Sequence, residues 1–216
     1  MKPQLRSLAR TFALLALAGT ATSAIGSPAD PHKAGDMWVR GGAWQVWPTG
    51  DNNAIVDVDD ALGFGFNLTR MITDTVAVEL LAAMPFKHDI RLKSTTTTIG
   101  STQQLPPTLS VQYHPALNSA FKPYVGIGLN VTIFFDEEID GGVGLGEKLE
   151  LDEVSFGAAL QGGVDYYFTD TQFLNLDVRY IDIETDAKVT GSEGTIDVGT
   201  VKIDPLVIGI NFGWKF

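Results

Sequence analysis

The sequence of 216 residues predicts an all-β protein, an eight-stranded antiparallel transmembrane β-barrel with short periplasmic turns and long extracellular loops. Three observations predict this fold. Apolar residues alternate with small or polar residues in segments of about ten residues. The connections between these segments alternate between short and long. After the N-terminal leader, no apolar stretch reaches the roughly 20 residues that a transmembrane helix needs.

The first 24 residues have the pattern of an export signal. The positive charges Lys2, Arg6 and Arg10 come first, and the apolar stretch TFALLALAG follows at residues 11–19. Small residues then lead to a predicted cleavage position after Ala24. The apolar stretch is too short to span a bilayer as a helix. We therefore expect a signal peptide over 1–24 and one barrel domain over 25–216. The alternative is an amphipathic helix that stays uncleaved.

Eight segments follow the period-two pattern. In the segment after Ala61, the residues Leu62, Phe64, Phe66 and Leu68 alternate with glycine, asparagine and threonine. The predicted strands cover residues 36–47, 61–71, 76–87, 105–114, 121–135, 151–168, 173–185 and 198–216. Short connections at one end and long ones at the other predict that both termini lie on the periplasmic side of an outer membrane.

Aromatic residues are concentrated near the two ends of these segments, which predicts two girdles at the membrane interfaces. At the short-turn end they are Trp38, Tyr113, Phe121, Tyr124, Tyr166, Tyr167, Phe168, Phe173, Trp214 and Phe216, and at the long-loop end Trp44, Trp47, Phe64, Phe86, Phe134, Phe135 and Phe156.

The small and polar face is predicted to point into the lumen, because eight strands enclose little more than a layer of side chains. Asn67, Glu79, Asn130 and Gln161 lie on this face and are candidate channel-lining residues. A charge that faces lipid near the midplane costs about 2–4 kcal/mol for Arg or Lys, so the strand charges should also point inward. We expect a lumen charge network of Arg40, Glu79, Asp165, Asp177, Arg179 and Lys215. It would occlude the periplasmic half of the lumen, or it would only brace the barrel.

Composition excludes several classes of function. A net charge of −11 argues against a nucleic-acid partner, and the absence of cysteine excludes disulfides and thiolate metal sites. The three histidines have no metal-ligand spacing, and no nucleophile-elbow motif is present. The acidic segment 136–140 lacks the spacing of a calcium-binding loop, which favours a solvated loop. We expect neither enzymatic activity, nor a cofactor, nor a metal site.

Several motifs, in order along the chain, resemble the OmpW family of small outer-membrane barrels. They are TDTVAVELLAAMPFKH at 73–88, LPPTL at 105–109, FKPYVGIGLN at 121–130, GVDY at 163–166, NLDVRYIDI at 175–183, IDP at 203–205 and the terminal Phe216. The resemblance implies an outer-membrane location and a narrow hydrophobic channel that opens outward. It also implies Phe216 as an assembly signal, and as partners the assembly machinery, outer-membrane lipids and lipopolysaccharide.

Members of this family look like conduits for small hydrophobic solutes, and a related branch is associated with alkane uptake. A polar lumen would divert such a solute sideways into the membrane, and Pro85, Pro106 and Pro107 fit this route because each removes a ladder donor. They would equally well simply end strands. Leu81 is a further candidate for the channel lining. Phe156 is another, because the family often carries Trp in the motif that reads SFG at 155–157 here.

Two main functional hypotheses remain open. The first is a channel for passive uptake of small hydrophobic molecules, with lateral release into the membrane. The second is a closed structural or adhesion barrel that supports the envelope through its loops. An apolar and vacant upper lumen would favour the first, and a filled one the second. A soluble lipocalin-like carrier and an outer-membrane enzyme are less favoured alternatives.

Overall fold

The computed structural model describes residues 31–50, 56–92, 98–139, 148–191 and 194–216, so the predicted signal peptide lies outside the described residues. In chain order the strands are β1 (Met37–Pro48), β2 (Val56–Val58), β3 (Ala61–Met71), β4 (Val76–Ala83), β5 (Phe86–Leu92), β6 (Thr98–Leu105), β7 (Thr108–Tyr113), β8 (Phe121–Ile139), β9 (Lys148–Leu151), β10 (Val154–Tyr167), β11 (Gln172–Ile181), β12 (Glu184–Gly191), β13 (Gly194–Lys202) and β14 (Pro205–Lys215). The described ranges contain no helix long and apolar enough to cross a membrane.

Eight of these strands close into an antiparallel barrel in the order β1-β3-β4-β7-β8-β10-β11-β14. The ring closes between the first and last strands, whose register runs from Trp38 opposite Lys215 to Pro48 opposite Pro205. Closure pairs both edges of every barrel strand, which removes the exposed edges that an open sheet would leave. The predicted eight-stranded fold is confirmed.

The remaining six strands extend the structure at the long-loop end, where the sequence predicted loops. The β5–β6 hairpin pairs with the upper part of β8, and β2 pairs with β5. A separate sheet joins β13, β12 and β9. The predicted strand 76–87 is interrupted at Met84 and Pro85, and 198–216 at Asp204, which has a φ of 38°. Proline offers no ladder donor, and a positive φ departs from strand geometry.

Alternation along the strands places large apolar side chains on the outside of the barrel. Leu62 and Leu129 are each 72% exposed and Ile210 is 66% exposed, while their sequence neighbours point inward. A contiguous apolar exterior of this extent is what a hydrocarbon environment requires and what a water-soluble surface avoids. The exterior is therefore the lipid-facing surface.

Large aromatic rings lie flat against the inner wall where the wall is made of glycine. A Cβ atom at Gly209 would lie 2.7 Å from the Trp44 ring, and one at Gly213 would overlap the Phe173 ring. The prediction of two interfacial girdles is therefore wrong in part, because position along a strand does not fix the face. The aromatic residues buried inside the barrel or its extension are Trp38, Trp44, Phe86, Tyr124, Phe134, Tyr167 and Phe173.

Candidate functional site: the lumen

A layer of five charged side chains crosses the lumen, and we call it the charged layer: Arg40, Glu79, Asp165, Asp177 and Arg179. Each is at most 1% exposed. Glu79 joins the two guanidinium groups, with 2.6 Å from Oε2 to Arg40 Nη1 and 2.6 Å from Oε1 to Arg179 Nη2. Arg40 also donates to Asp165 at 2.7 Å and Arg179 to Asp177 at 2.7 Å. Buried charges are stable only when paired in this way.

Neutral polar side chains add hydrogen bonds to the charged layer, in which Arg179 Nη1 alone among the described guanidinium nitrogens of Arg40 and Arg179 has no partner. The Tyr124 hydroxyl donates to Asp177, and the Asn175 amide donates to Asp165 at 2.7 Å. Gln161 donates to Glu79 at 3.3 Å. With its amide oxygen turned toward the layer, Asn67 accepts from Arg179 Nη2 at 2.8 Å. The network links side chains from β1, β3, β4, β8, β10 and β11 across the lumen.

Lys215, which the sequence predicted to belong to this network, lies outside it. Its Nζ is 2.6 Å from Asp36 Oδ2, and both side chains are more than one-fifth exposed. Lys215 is the last residue of β14, so its side chain reaches the mouth of the barrel rather than the middle. The buried cation that the prediction missed is Lys122, which is 2% exposed and opposite Asp165 in the β8–β10 register. Lys122 has the same inward parity as Asn130, and this parity was the sequence signal that could have predicted its burial.

Below the charged layer, toward the short-turn end, the lumen holds a buried aromatic layer. Its apolar members are Trp38, Met71, Ala77, Tyr167 and Phe173. His32 stacks on Trp38 with ring centroids 4.7 Å apart, and His114 stacks on Tyr124 at 5.1 Å. Burial and the nearby cations lower the pKa of His32 to about 3 and that of His114 to about 2. Both rings are therefore neutral at neutral pH, including His32 at 3.9 Å from Asp36.

Above the charged layer, toward the long-loop end, the lumen holds a cluster of buried apolar side chains, and we call this part the upper chamber. Its wall on β7 and β8 also carries the buried polar residues Thr108, Asn130 and Thr132. Trp44 forms its floor, because Arg179 Cζ lies 5.1 Å from the centroid of the Trp44 ring on the side of the charged layer. The chamber encloses a cavity of about 20 Å³, room for about one water molecule. The residues that line this cavity are Trp44, Val46, Leu81, Ala83, Phe86, Gln104, Pro106, Ile181, Ile183, Pro205 and Val207.

The candidate channel-lining residues divide between the two faces of the barrel. Leu81 is 4% exposed and lines the upper chamber, and Asn67 and Gln161 belong to the charged layer's hydrogen-bond network. Asn130 is buried and donates to Thr108 Oγ1 at 2.9 Å. Phe156 is 77% exposed on the lipid-facing surface, so it does not line the lumen. Strict alternation along β10 turns its neighbours inward and Phe156 outward.

Three residues of the upper chamber's environment escaped sequence reasoning: Trp44, His88 and Gln104. All three are at most 1% exposed. His88 Nδ1 lies 2.7 Å from the backbone oxygen of Asp59, and His88 Nε2 lies 2.9 Å from Gln104 Nε2. The sequence offered no signal for this contact, because β5 and β6 fall in a segment whose period-two pattern is weak.

The terminal residue is fixed by its backbone rather than by its side chain. The Phe216 amide donates to the backbone oxygen of Met37 at 3.0 Å, and its ring is 67% exposed. Its proposed role as an assembly signal stays a prediction.

A closed barrel of eight antiparallel strands, apolar outside and charged within, defines the class of small outer-membrane β-barrels. The OmpW family profile matches residues 33–216. The chain is 40% identical to outer membrane protein W of Vibrio cholerae over 204 residues, which cover 88% of this chain and 93% of the relative. The crystal structure of OprG from Pseudomonas aeruginosa superimposes with a TM-score of 0.79 at 36% identity, covering 90% of this chain and 99% of that one. The NMR structure of OmpW from Escherichia coli superimposes with a TM-score of 0.58 at 34% identity, covering 86% of this chain and 100% of that one.

The chain belongs to the OmpW family and is a protein of the bacterial outer membrane. The short-turn end of the barrel is accordingly periplasmic, and the long-loop end is extracellular.

Proposed function

We propose that the protein is a channel for passive uptake of small hydrophobic molecules, which enter the upper chamber from outside and leave sideways into the membrane. One observation carries this proposal: the extracellular half of the lumen holds a cavity lined, apart from Gln104, by apolar and aromatic side chains, while the periplasmic half is crossed by the charged layer and the aromatic layer. An apolar wall replaces few of the hydrogen bonds that a polar solute loses on leaving water, so it favours apolar solutes.

The charged layer argues against a straight path to the periplasm. An apolar solute that reached this level would have to separate ion pairs that water cannot resolvate there, which is expensive. A sideways exit avoids that cost, because the barrel exterior is apolar and lipid solvates the solute. The proposed route therefore turns at the floor of the upper chamber, near Trp44 and Leu81.

The wall beside β4 supports a sideways route. β4 pairs with β3 as far as Ala83, and the Met84 amide still donates to the Phe64 backbone oxygen at 2.8 Å before Pro85, which has no amide hydrogen, ends the ladder. The next strand, β5, pairs with β2 and β6 rather than with β3. A Cβ atom at Gly63 of β3 would lie 2.6 Å from Phe86, so the Phe86 ring covers the wall at this point. Movement of one aromatic side chain would uncover a part of the wall that no β3–β5 ladder reinforces.

A second function, a closed structural or adhesion barrel, is favoured by one specific observation. The upper chamber holds a cavity of only about 20 Å³, which is far below the size of a solute with several carbon atoms. Uptake therefore requires side chains of the chamber to move aside. If they do not, the barrel is closed, and its function lies in its extracellular strands.

The experiment that tests the proposal compares uptake of radiolabelled n-octane by cells that express the protein and cells that lack it. Leu81→Arg places a long charged side chain in the upper chamber. Leu117→Arg is the matched control. Leu117 is 40% exposed in a periplasmic turn, so this variant introduces the same chemical change outside the lumen. Faster uptake that Leu81→Arg abolishes and Leu117→Arg preserves supports the channel. Equal uptake with and without the protein, at matched outer-membrane abundance, overturns it in favour of the closed barrel.

A further inference from the structure

We propose that the upper chamber recognises a single uncharged hydroxyl group on an otherwise apolar solute, with Gln104 as acceptor and Trp44 as donor. The inference rests on the proposed function and deepens it, since it names the solute class as apolar alcohols rather than plain hydrocarbons. Gln104 Oε1 and Trp44 Nε1 are both buried, and neither atom has a hydrogen-bond partner among the residues that the structure describes. Both side chains line the same small cavity.

His88 fixes the orientation of the Gln104 amide. The backbone oxygen of Asp59 only accepts, so His88 Nδ1, 2.7 Å away, must carry the proton. Burial lowers the pKa of His88 despite that hydrogen bond, so the ring is neutral and Nε2 is an acceptor. Gln104 Nε2, at 2.9 Å from His88 Nε2, therefore donates to it. The amide oxygen is the end that remains, and it cannot satisfy itself by flipping.

Trp44 is held with equal firmness. Its ring lies flat on the wall, with Nε1 2.9 Å from the position that a Cβ atom would take at Gly65 and the opposite edge against Gly209. Arg179 covers the ring from the charged layer. Indole nitrogen is a donor only, and buried Trp normally places it on an acceptor. An unpaired indole donor in an apolar cavity is therefore available to a ligand.

The two groups select one kind of ligand atom. A hydroxyl oxygen donates one hydrogen bond and accepts another, so it satisfies both Gln104 and Trp44. A hydrocarbon satisfies neither, and a ketone or aldehyde satisfies only Trp44. A carboxylate would bring an unpaired charge into an apolar chamber, which is costly. The cavity of about 20 Å³ matches a hydroxyl group, while the attached chain requires side chains of the upper chamber to move aside, as the proposed function also requires.

The test uses n-octanol and n-octane, which share a chain length and differ by one hydroxyl. Isotope-labelled protein in lipid nanodiscs gives an indole resonance for each Trp, and Trp44→Phe identifies the resonance of Trp44. We expect n-octanol to move this resonance downfield, as hydrogen bonding does, and n-octane to leave it in place. Gln104→Leu removes the acceptor at similar volume and should raise the n-octanol concentration at half-shift about fivefold, the usual effect of one neutral hydrogen bond. Gln103→Leu is the matched control, because Gln103 is the adjacent residue and donates to exposed Asp136 instead.

The outcomes separate this inference from the proposed function. No shift of the Trp44 resonance with n-octanol, or an equal shift with n-octane, overturns the hydroxyl site and leaves alkane uptake as a separate question. An n-octanol shift without any solute uptake by cells keeps the site and overturns the channel. If Gln104→Leu fails to fold because His88 loses its donor, Trp44→Phe tests the site from the other side. It should then lower the ratio of n-octanol to n-octane uptake by about fivefold.

Discussion

Replacing Glu79 by glutamine tests whether the charged layer holds the barrel together. Glu79 is fully buried and accepts from Arg40 and Arg179 at 2.6 Å each, with Thr69 Oγ1 at 3.0 Å. Glutamine keeps the shape of the side chain but has one acceptor oxygen, so its amide nitrogen must face one guanidinium donor. Both arginines then lose a share of their compensating charge in a site that water does not reach.

The expected loss of stability depends on the ion pairs that each guanidinium group keeps. Removing one partner of a buried ion pair costs about 3–5 kcal/mol. Arg40 still contacts Asp165 through two nitrogens, and Arg179 still contacts Asp177, so the cost should lie at the lower limit, about 3 kcal/mol. For a chain of this length, 1 kcal/mol shifts the Tm by about 2–4 °C, which gives a decrease of about 6–12 °C.

The assay is thermal unfolding of the purified barrel in detergent micelles, followed by loss of β-sheet circular dichroism. Glu138→Gln is the matched control, because Glu138 is 73% exposed and lies 3.7 Å from Lys87, which is 57% exposed. Such surface pairs contribute less than about 1 kcal/mol. A Tm for Glu79→Gln within 2 °C of the Glu138→Gln value, a margin of about 1 kcal/mol, would refute the idea that paired charge stabilises this layer.

Two further predictions concern the aromatic layer. Gly213→Ala should destabilise the barrel by about 1–3 kcal/mol, because the added Cβ would overlap the Phe173 ring. Gly162→Ala, whose Cβ would have an ordinary 3.7 Å contact, should cost less in the same thermal unfolding assay. Equal costs for the two variants would contradict the packing argument. As the pH is lowered from about 7.5 to 5, histidines of the unfolded chain become protonated, whereas His32 in the folded barrel, with a pKa of about 3, stays neutral. The free energy of unfolding should therefore decrease by about 2 kcal/mol over this range because of His32. His32→Phe keeps the stacking on Trp38 and should remove that share of the Tm decrease, while an unchanged pH dependence would contradict burial of the neutral ring.

The period-two pattern predicted the face of a residue well. Glu79, Asp177 and Arg179 all point inward as their parity required, because one buried face fixes the register of every strand. Arg40 also points inward, although its segment alternates too irregularly to assign a face from the sequence. Phe156, which was wrongly predicted to line the channel, follows the same rule. Its parity already placed it outside, and the wrong assignment came from following the family resemblance instead of the alternation.

The pattern did not predict height along the barrel axis. Lys215 has the inward parity, but it lies at the periplasmic mouth, where it meets Asp36 instead of the buried acids. Lys122 has the same parity and is likewise close to the periplasmic end of its strand, yet it is buried, and its Nζ donates to the backbone oxygen of Leu117 at 3.2 Å. Some of the six extra strands were missed for a related reason. β9 pairs with β12 and β2 pairs with β5, and pairing between segments that are distant in sequence has no local signal.

Contacts across the lumen depend on both closure and the stagger of the strands. Arg40 is opposite Asn67 in the β1–β3 register, and Asn67 is opposite Leu81 in the β3–β4 register. Following the ladder from Arg40 therefore leads to Leu81, yet the guanidinium binds Glu79, one inward step closer to the periplasm. Leu81 belongs to the upper chamber and Glu79 to the charged layer, so the boundary between the two compartments falls within a single inward step of β4. A substitution at Leu81 should thus alter the chamber without breaking an ion pair. For this reason Leu81→Arg, compared at matched outer-membrane abundance, tests solute passage, whereas Glu79→Gln tests the contribution of the ion pairs to barrel stability.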